Sequence, residues 1–411
     1  MPKRETPPDW WLLTTCLGLL FLGVFVVFDA SYPRAGQAAS TGQDMLFYLK
    51  RQALWAGLAL GALGLGMRLS YWRLRPWWLP LTVISAVLLV VVLIPGIGIQ
   101  VNGARRWLGV GQARFQPSEL AKISLVVFLA SYAARRRAAI KDPVHGLGPA
   151  LAVMAGLGAL VAHEDLGTAV AMGFTGLLMV YMAGARKRHL AVLVLTGALC
   201  FALFVLQKQY RRERVTAFVN PFSEKSYHGA GYQPAHSLIA LGSGGWSGSG
   251  IGLGRQKFLY LPAEHTDYIF ATVGEEMGLV GTLGVLAAFI LLVVRGLTIA
   301  HRTRDRFGSL LAAGLTSMIG VQALMNVAVV TSSVPATGVP LPFISYGGSS
   351  LLFAMLAVGM ILNVSQFPTA VVAEEEKRER TTRRRRSAPG RAAAAVGAGR
   401  RRDRRTSVSR P

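Results

Sequence analysis

Cysteine is nearly absent: Cys16 and Cys200 are the only two in 411 residues. Each sits in a long apolar run, where it reads as a small buried hydrophobe. A disulfide framework and a cysteine-based zinc site are therefore excluded. The seven histidines are scattered without metal-ligand spacing, so a built-in zinc centre is not expected. Charge is scarce as well, 16% of residues against 52% hydrophobic, with a mean hydropathy of +0.42. A soluble chain of two or three domains does not have this composition. Acid is the scarcer sign, 20 Asp and Glu against 44 Lys and Arg, for a net charge of +24. No phosphate-binding P-loop is present, and Gly252-Leu253-Gly254 lacks the following glycine of a dinucleotide fingerprint. There is no Gly-x-Ser-x-Gly elbow, although Ser-His-Asp catalysis stays open on sequence alone.

What the chain does have is length of apolar run. A bilayer core needs roughly 20 residues of apolar helix, and charge-poor stretches of that order recur at 10–29, 50–68, 77–97, 116–134, 146–163, 166–185, 189–207, 268–294, 307–331 and 349–369. The pattern predicts an all-α polytopic membrane protein of about ten transmembrane helices, with a large extracytoplasmic loop, 208–267, between spans 7 and 8. Lys3 and Arg4 precede the first stretch as in a signal peptide, but that stretch is too long and lacks a small-residue cleavage site, so it is expected to be retained.

Orientation follows from the cations. With residues 1–9 as a cytoplasmic N-terminus, the inside loops contain Arg68, Arg73 and Arg75, then Arg135, Arg136, Arg137 and Lys141, then Arg186, Lys187 and Arg188, then Arg295, Arg302, Arg304 and Arg306. Every short inside loop is basic, as the positive-inside rule requires. An even span count returns residues 370–411 to the cytoplasm. This tail is rich in Arg, Ala, Gly and Ser, and is expected to be disordered. It reads as a solvated anchor, or as a contact for anionic lipid. The excess charge thus belongs to membrane orientation, and no nucleic-acid partner is expected.

Four segments depart from a plain span-and-loop pattern, and this topology puts all four on the outer face. Asn102-Gly103-Ala104-Arg105-Arg106-Trp107 leads to Pro117-Ser118-Glu119-Leu120-Ala121-Lys122. Glu119 and Lys122 share a helical face and can pair where the helix enters the membrane. Arg105 and Arg106 read equally as interfacial anchors. His163-Glu164-Asp165-Leu166-Gly167-Thr168 joins two spans, with Asp165 either functional or a helix N-cap. In the long loop, glycines from Gly242 to Gly254 allow close backbone approach, while Arg255 and Lys257 offer charge to an anionic group. It runs into His265-Thr266-Asp267, with Glu275 and Glu276 about two turns into the next span. An acid at a span mouth, after a cationic glycine-rich loop, reads as a base facing a phosphate-bearing substrate. The fourth segment, 332–350, has three prolines and is nearly uncharged between two spans. Non-helical backbone at membrane depth must be buried in protein or line a wet cavity, so a re-entrant loop bordering a site is expected.

Together, Gly103 to Lys122, Asp165 to Ala169, Gly231 to Gly245, His265 to Glu276 and Pro335 to Ser350 closely resemble the SEDS family (shape, elongation, division and sporulation) in content and order. The resemblance covers roughly 10–369. It implies a peptidoglycan glycosyltransferase that polymerises lipid II into glycan strands on the outer face of the bacterial cytoplasmic membrane. It implies Asp267 as the catalytic base and Asp165, Glu119 and Lys122 as site neighbours, and it puts His265, Ser345, Tyr346, Gly347 and Gly348 beside the substrate. The departing diphosphate would meet Arg105, Arg106, Arg211, Arg255, Lys257 or a divalent cation, Mg2+ or Mn2+. A class B penicillin-binding protein, the transpeptidase, is the implied partner, with other division proteins around it at the septum. Gly274-Glu275-Glu276, Gly231-Tyr232-Gln233 and Gln256-Lys257-Phe258-Leu259-Tyr260-Leu261-Pro262 look more like the division-type FtsW branch than the elongation-type RodA branch. Two departures bear on loop shape: His163-Glu164 stands where members often have Gln-Pro or Glu-Pro, and Pro234-Ala235-His236 replaces a more usual apolar-Val-Gln. The rival readings are a lipid II flippase, which would favour paired broken helices and an internal repeat that this chain lacks, and a non-catalytic scaffold.

Overall fold

The computed structural model describes residues 6–37, 41–101, 103–110, 113–136, 139–207, 209–258 and 265–367. The basic tail, most of the short N-terminus, Asn102 and the Leu261–Glu264 part of the His-Thr-Asp approach lie outside the described residues. In chain order the helices are α1 (Trp10–Gln37), α2 (Phe47–Arg68), α3 (Trp78–Leu93, preceded by a 3-10 turn over Tyr71–Trp77), α4 (Pro117–Arg135), α5 (Gly148–Ala162), α6 (Leu166–Met182) and α7 (Lys187–Leu206). They continue as α8 (Gln209–Val219), α9 (Glu224–Tyr227), α10 (Tyr232–Gly244), α11 (Ile269–Arg302), α12 (Arg306–Val330) and α13 (Gly348–Ser365). A helix thus occupies each of the apolar stretches. Among the described residues seven helices are long and apolar enough to cross a membrane: those of α1, α3, α4, α5, α11, α12 and α13. The protein is a polytopic membrane protein.

Burial divides the helices. Nearly every residue of α4 and α13 is buried, as is most of α12, and α4 and α13 both pack on α12. The outer helices keep apolar side chains on the surface, Val83, Val87 and Val90 on α3 and Leu195 and Leu199 on α7. A helix apolar on its outward face is stable where its solvent is lipid.

Two parts of the chain correct the expected span-and-loop pattern. The third apolar stretch was expected to run as helix to residue 97, but α3 stops at Leu93 and a three-stranded antiparallel sheet follows: β1 (Ile99–Val101), β2 (Ala104–Val110) and β3 (Ala113–Phe115), in that order. Gly103, at φ +81, makes the first reversal, which pairs Gln100 with Arg105. The fold stays mostly helical around this small sheet. The long loop carries α8, α9 and α10; α10 buries Ala235, Ser237, Ala240 and Gly244 and packs on α11 and α12, with Ser237 Oγ donating to Val330 O at 2.7 Å.

The first part of α11 ends at Gly278, whose φ of +63 breaks the helix. A side chain there would strike Trp246 and Gly248 of the long loop. The loop is sewn to this break: Leu279 N donates to Gly245 O at 2.9 Å and Ser249 N to Glu275 O at 2.9 Å. Main-chain groups freed by the break are thus paired within protein, as a membrane interior demands.

Candidate active site

The segment 331–347 is irregular, and its later part is buried: Val339, Leu341, Phe343, Ile344 and Ser345 are all inside. Two amides on α12, four residues apart and so on one face, hold it. Gln322 Nε2 donates to Pro340 O at 3.0 Å, and Asn326 Nδ2 donates to both Val339 O and Asp267 O at 2.8 Å. The same segment grips the approach to Asp267 from the other side. Ser345 Oγ donates to Thr266 O at 2.6 Å, and Tyr346 N to His265 O at 2.9 Å. The His265 ring packs with Tyr48, at 4.8 Å, and Tyr346, at 5.7 Å, which touch each other at 5.2 Å.

Asp267 is half-buried at the mouth of α11. Gly338 faces it, with φ +71 and room for a Cβ only 3.4 Å from Asp267 Oδ2. Burial, and then the Asp165 carboxylate, push the pKa of Asp267 up to about 6, against the pull of Arg106, His265 and Arg214. A carboxylate with a pKa close to working pH is suited to accept a proton.

Asp165 is the N-cap of α6 and is buried. It caps α6, accepting from Thr168 N and Thr168 Oγ1 at 3.0 Å, and it faces Arg106 Nη1 at 3.6 Å. Strand β2 delivers that arginine: Arg106 Nε donates to Glu164 O and Arg105 N to Glu164 Oε2, both at 2.7 Å. The start of α6 presses on the irregular segment, since a Cβ at Gly167 would meet Thr337 and Val339 within 3 Å. One further polar line feeds in from α4. Lys122 pairs with Glu119 at 3.0 Å, as their spacing suggested, and donates to Gln322 Oε1 at 2.7 Å.

The four segments singled out in the sequence therefore meet at one end of the bundle, with Asp267, Asp165, Arg106, His265, Ser345 and the Glu119–Lys122 pair tied to one another directly or through Gln322, Asn326 and the 336–346 backbone. Known proteins give this end a lineage. The family described as cell cycle protein, FtsW/RodA/SpoVE, matches residues 10–370. Stage V sporulation protein E of Bacillus subtilis is 41% identical over 368 residues, 89% of this chain and 99% of that protein. The chain belongs to the FtsW/RodA/SpoVE family. A probable peptidoglycan glycosyltransferase FtsW of Geobacter metallireducens is 40% identical over 87% of this chain and 94% of its own length. Among solved structures, a chain from a peptidoglycan synthase complex that coordinates polymerization and crosslinking superposes with a TM-score of 0.74 at 30% identity, covering 89% of this chain and all of that one. Rod shape determining protein RodA of Thermus thermophilus gives 0.66 at 27% identity, over 90% of this chain and all of its own.

In this FtsW/RodA/SpoVE protein the remaining expected site residues fall elsewhere. Lys257 is fully buried, its Nζ 2.7 Å from Glu276 Oε1 and 2.9 Å from Asp29 Oδ1 on α1. Burial alone would lower its pKa, but the two carboxylates more than offset this and hold it above the usual lysine value. Lys257 is thus committed to the fold and not turned to an anionic ligand, a correction to its assignment as substrate-binding. Arg255 is exposed, with its backbone N donating to Glu275 Oε1 at 2.7 Å. Arg211 is buried at the start of α8. Gly347 is the N-cap of α13 at an ordinary extended φ, and Gly348 packs against the Trp55 ring.

Sequence reasoning did not select Gln322, Asn326, Gly338 or Arg214. The first two are polar residues inside a span, a signal that could have found them; Arg214 is one of three arginines in Arg211-Arg212-Glu213-Arg214. Among the described residues no three His, Cys, Asp or Glu converge on a common point as a metal cluster.

Proposed function

We propose that this protein is a lipid II polymerase, a peptidoglycan glycosyltransferase working on the outer face of the cytoplasmic membrane with Asp267 as its general base. The observation that carries the reading is a half-buried carboxylate with a pKa near 6 set beside Arg106 and Asp165. The 4-hydroxyl of the acceptor N-acetylglucosamine attacks the anomeric carbon of the polyprenyl-diphosphate donor and gives its proton to Asp267. The bond between that carbon and the diphosphate breaks, and its electrons leave with the diphosphate. Asn326 and Ser345 do not touch the reaction; by binding Asp267 O and Thr266 O they keep the base in place.

A divalent cation, Mg2+ or Mn2+, belongs to the proposal as a companion of the diphosphate rather than a resident of the protein. The donor set does not fit a protein cage: both Asp165 oxygens already accept from Thr168, and one of them also faces Arg106. No step here depends on it.

The outward orientation is supported by the placement of charge. Arg75, Arg135 and Arg306 gather with the ends of α4, α6 and α13 opposite the site, through contacts such as Arg306 to Ala183 O at 2.9 Å. Relatives named FtsW favour a division-type role over elongation, and the synthase-complex neighbour supports a class B penicillin-binding protein as partner. The test is glycan synthesis from lipid II by purified protein with such a partner, beside Asp267→Asn. Polymer from the native chain that vanishes in a folded variant supports the reading. Polymer that persists in Asp267→Asn removes Asp267 as base, and lipid II crossing vesicles without polymer points to a flippase.

A further inference from the structure

Three residues, His163-Glu164-Asp165, carry the chain from α5 into α6. Their backbone is fixed: Glu164 N and Asp165 N both donate to Val161 O, at 3.2 and 2.8 Å, and Asp165 caps the helix that follows. A turn held in this way is a platform at the edge of the site, and strand β2 is fastened to it.

The strand arrives distorted. It pairs with β1 at Ile99–Trp107 and again at Gln100–Arg105, so one step along β1 answers two along β2, and Arg106 is the extra residue of a bulge. Bulges beside active sites re-aim a side chain, but a bulge alone leaves a long arginine many rotamers to choose from. Glu164 removes that choice. Its Oε2 accepts from Arg105 N and its main-chain O from Arg106 Nε, both at 2.7 Å and both charge-assisted. Its other carboxylate oxygen lies 2.9 Å from Nδ1 of the exposed His163. One residue thus grips two consecutive residues of the strand, and Arg106 Nη1 is left 3.6 Å from Asp165 Oδ2.

We propose that Glu164 is a positioning residue for glycosyl transfer, holding the bulged strand by the Arg105 amide and the Arg106 guanidinium by its own carbonyl. The assignment rests on the glycosyl-transfer reading above and deepens it. Glu164 touches no reacting atom and exchanges no proton; it acts through Arg106. Burial and then Asp165, at the cap of α6, raise the pKa of Asp267, while Arg106 on β2, His265 on its own segment and Arg214 on α8 pull it down. With Arg106 swung away, Asp267 therefore takes up its proton at higher pH. Loss of the Glu164 charge alone works in the opposite sense, because one anion fewer at this end of the bundle favours the ionised carboxylate. Direction tells the two effects apart.

The test compares native protein with Glu164→Gln, Glu164→Asn, Glu164→Ala and Glu224→Gln, the last an equal charge change at an exposed position of α9. Polymerisation of lipid II with a class B partner is followed against pH, and unfolding temperature is measured for each variant. Glutamine keeps an oxygen within reach of Arg105 N, whereas asparagine falls one methylene short. Glu164→Asn and Glu164→Ala are expected to lower kcat by about tenfold or more and to move the acid limb of the pH profile upward. Glu164→Gln should stay close to native protein with no upward movement of the limb, and Glu224→Gln should match native protein. Adding Glu164→Ala to Arg106→Gln should cost nothing further, since both changes act through one guanidinium. Should the alanine variant not fold, asparagine against glutamine carries the same comparison. A limb that moves down in all three Glu164 variants, or losses that add in full to those of Arg106→Gln, overturns the proposal. No glycan from native protein and its partner sinks the polymerase reading, whereas glycan synthesis indifferent to Glu164→Asn and Glu164→Ala sinks only this assignment.

Discussion

At Asp267 the burial that makes the carboxylate a usable base also works against the folded state. Its pKa, about 6 in the fold, stands above the roughly 3.9 of an unfolded aspartate. A raised acid favours folding while protonated, so its contribution is complete below about pH 3.9 and is lost as pH rises through about 6. Two outcomes are expected. Polymerisation should rise with an acid limb near pH 6, followed as initial rate against pH. Asp267→Asn should be inactive yet more resistant to heat in detergent at pH 7.5, by up to about 3 kcal/mol; a variant less stable than native protein would contradict the assigned burial. That Asp267 mattered was legible from its place in His265-Thr266-Asp267 at a span mouth. What tunes it was not: Asp165 and Arg106 lie far away in the chain, and only the fold brings their charges to bear.

On the scale of elements, the long loop owes its position to a buried cluster rather than to its glycines alone. Lys257 from the loop, Asp29 from α1 and Glu276 from α11 form a three-way ion contact, and Glu276 also accepts from Gly252 N and Gly254 N at 3.1 Å. Removing the lysine leaves two carboxylates buried without their cation, a situation that costs about 3–5 kcal/mol. Lys257→Met is accordingly expected to unfold at a markedly lower temperature, with Lys257→Met/Asp29→Asn recovering part of the loss. A normal unfolding temperature with impaired binding of lipid II would instead restore Lys257 to the substrate. The lysine was misassigned from sequence because Asp29 lies 228 positions away; a cation in a glycine-rich loop looks the same whether it meets a phosphate or an aspartate. The helices α8 and α10 and the small sheet were missed for a related reason. They are short, and their stability comes from docking on α7, α11 and α4, whereas the long apolar helices announce themselves through composition.

For the molecule as a whole, polarity of the bundle is the decisive property, because a polymerase fed by a lipid-linked sugar on one side works only if Asp267 faces that side. The ends of the bundle differ in charge chemistry: one holds Arg135 over the Trp78 ring, Arg306 on the Ala183 carbonyl and Arg75, whose own carbonyl accepts from Ser131 Oγ, while the other holds the acids and arginines of the site. On the proposed reading, the positive-inside rule puts the basic end in the cytoplasm. A cysteine-free background is accessible, since Cys16 and Cys200 are both free thiols. Single cysteines at Trp246, which is 78% exposed on the long loop, and at Arg304, exposed in the turn between α11 and α12, then sample the two ends. A membrane-impermeant maleimide should label Trp246→Cys in intact spheroplasts and Arg304→Cys only after permeabilisation. The reverse pattern would place Asp267 on the cytoplasmic side and undo the polymerase reading whatever the chemistry of the site. Labelling of both in intact spheroplasts would break the opposed-ends topology on which that reading depends.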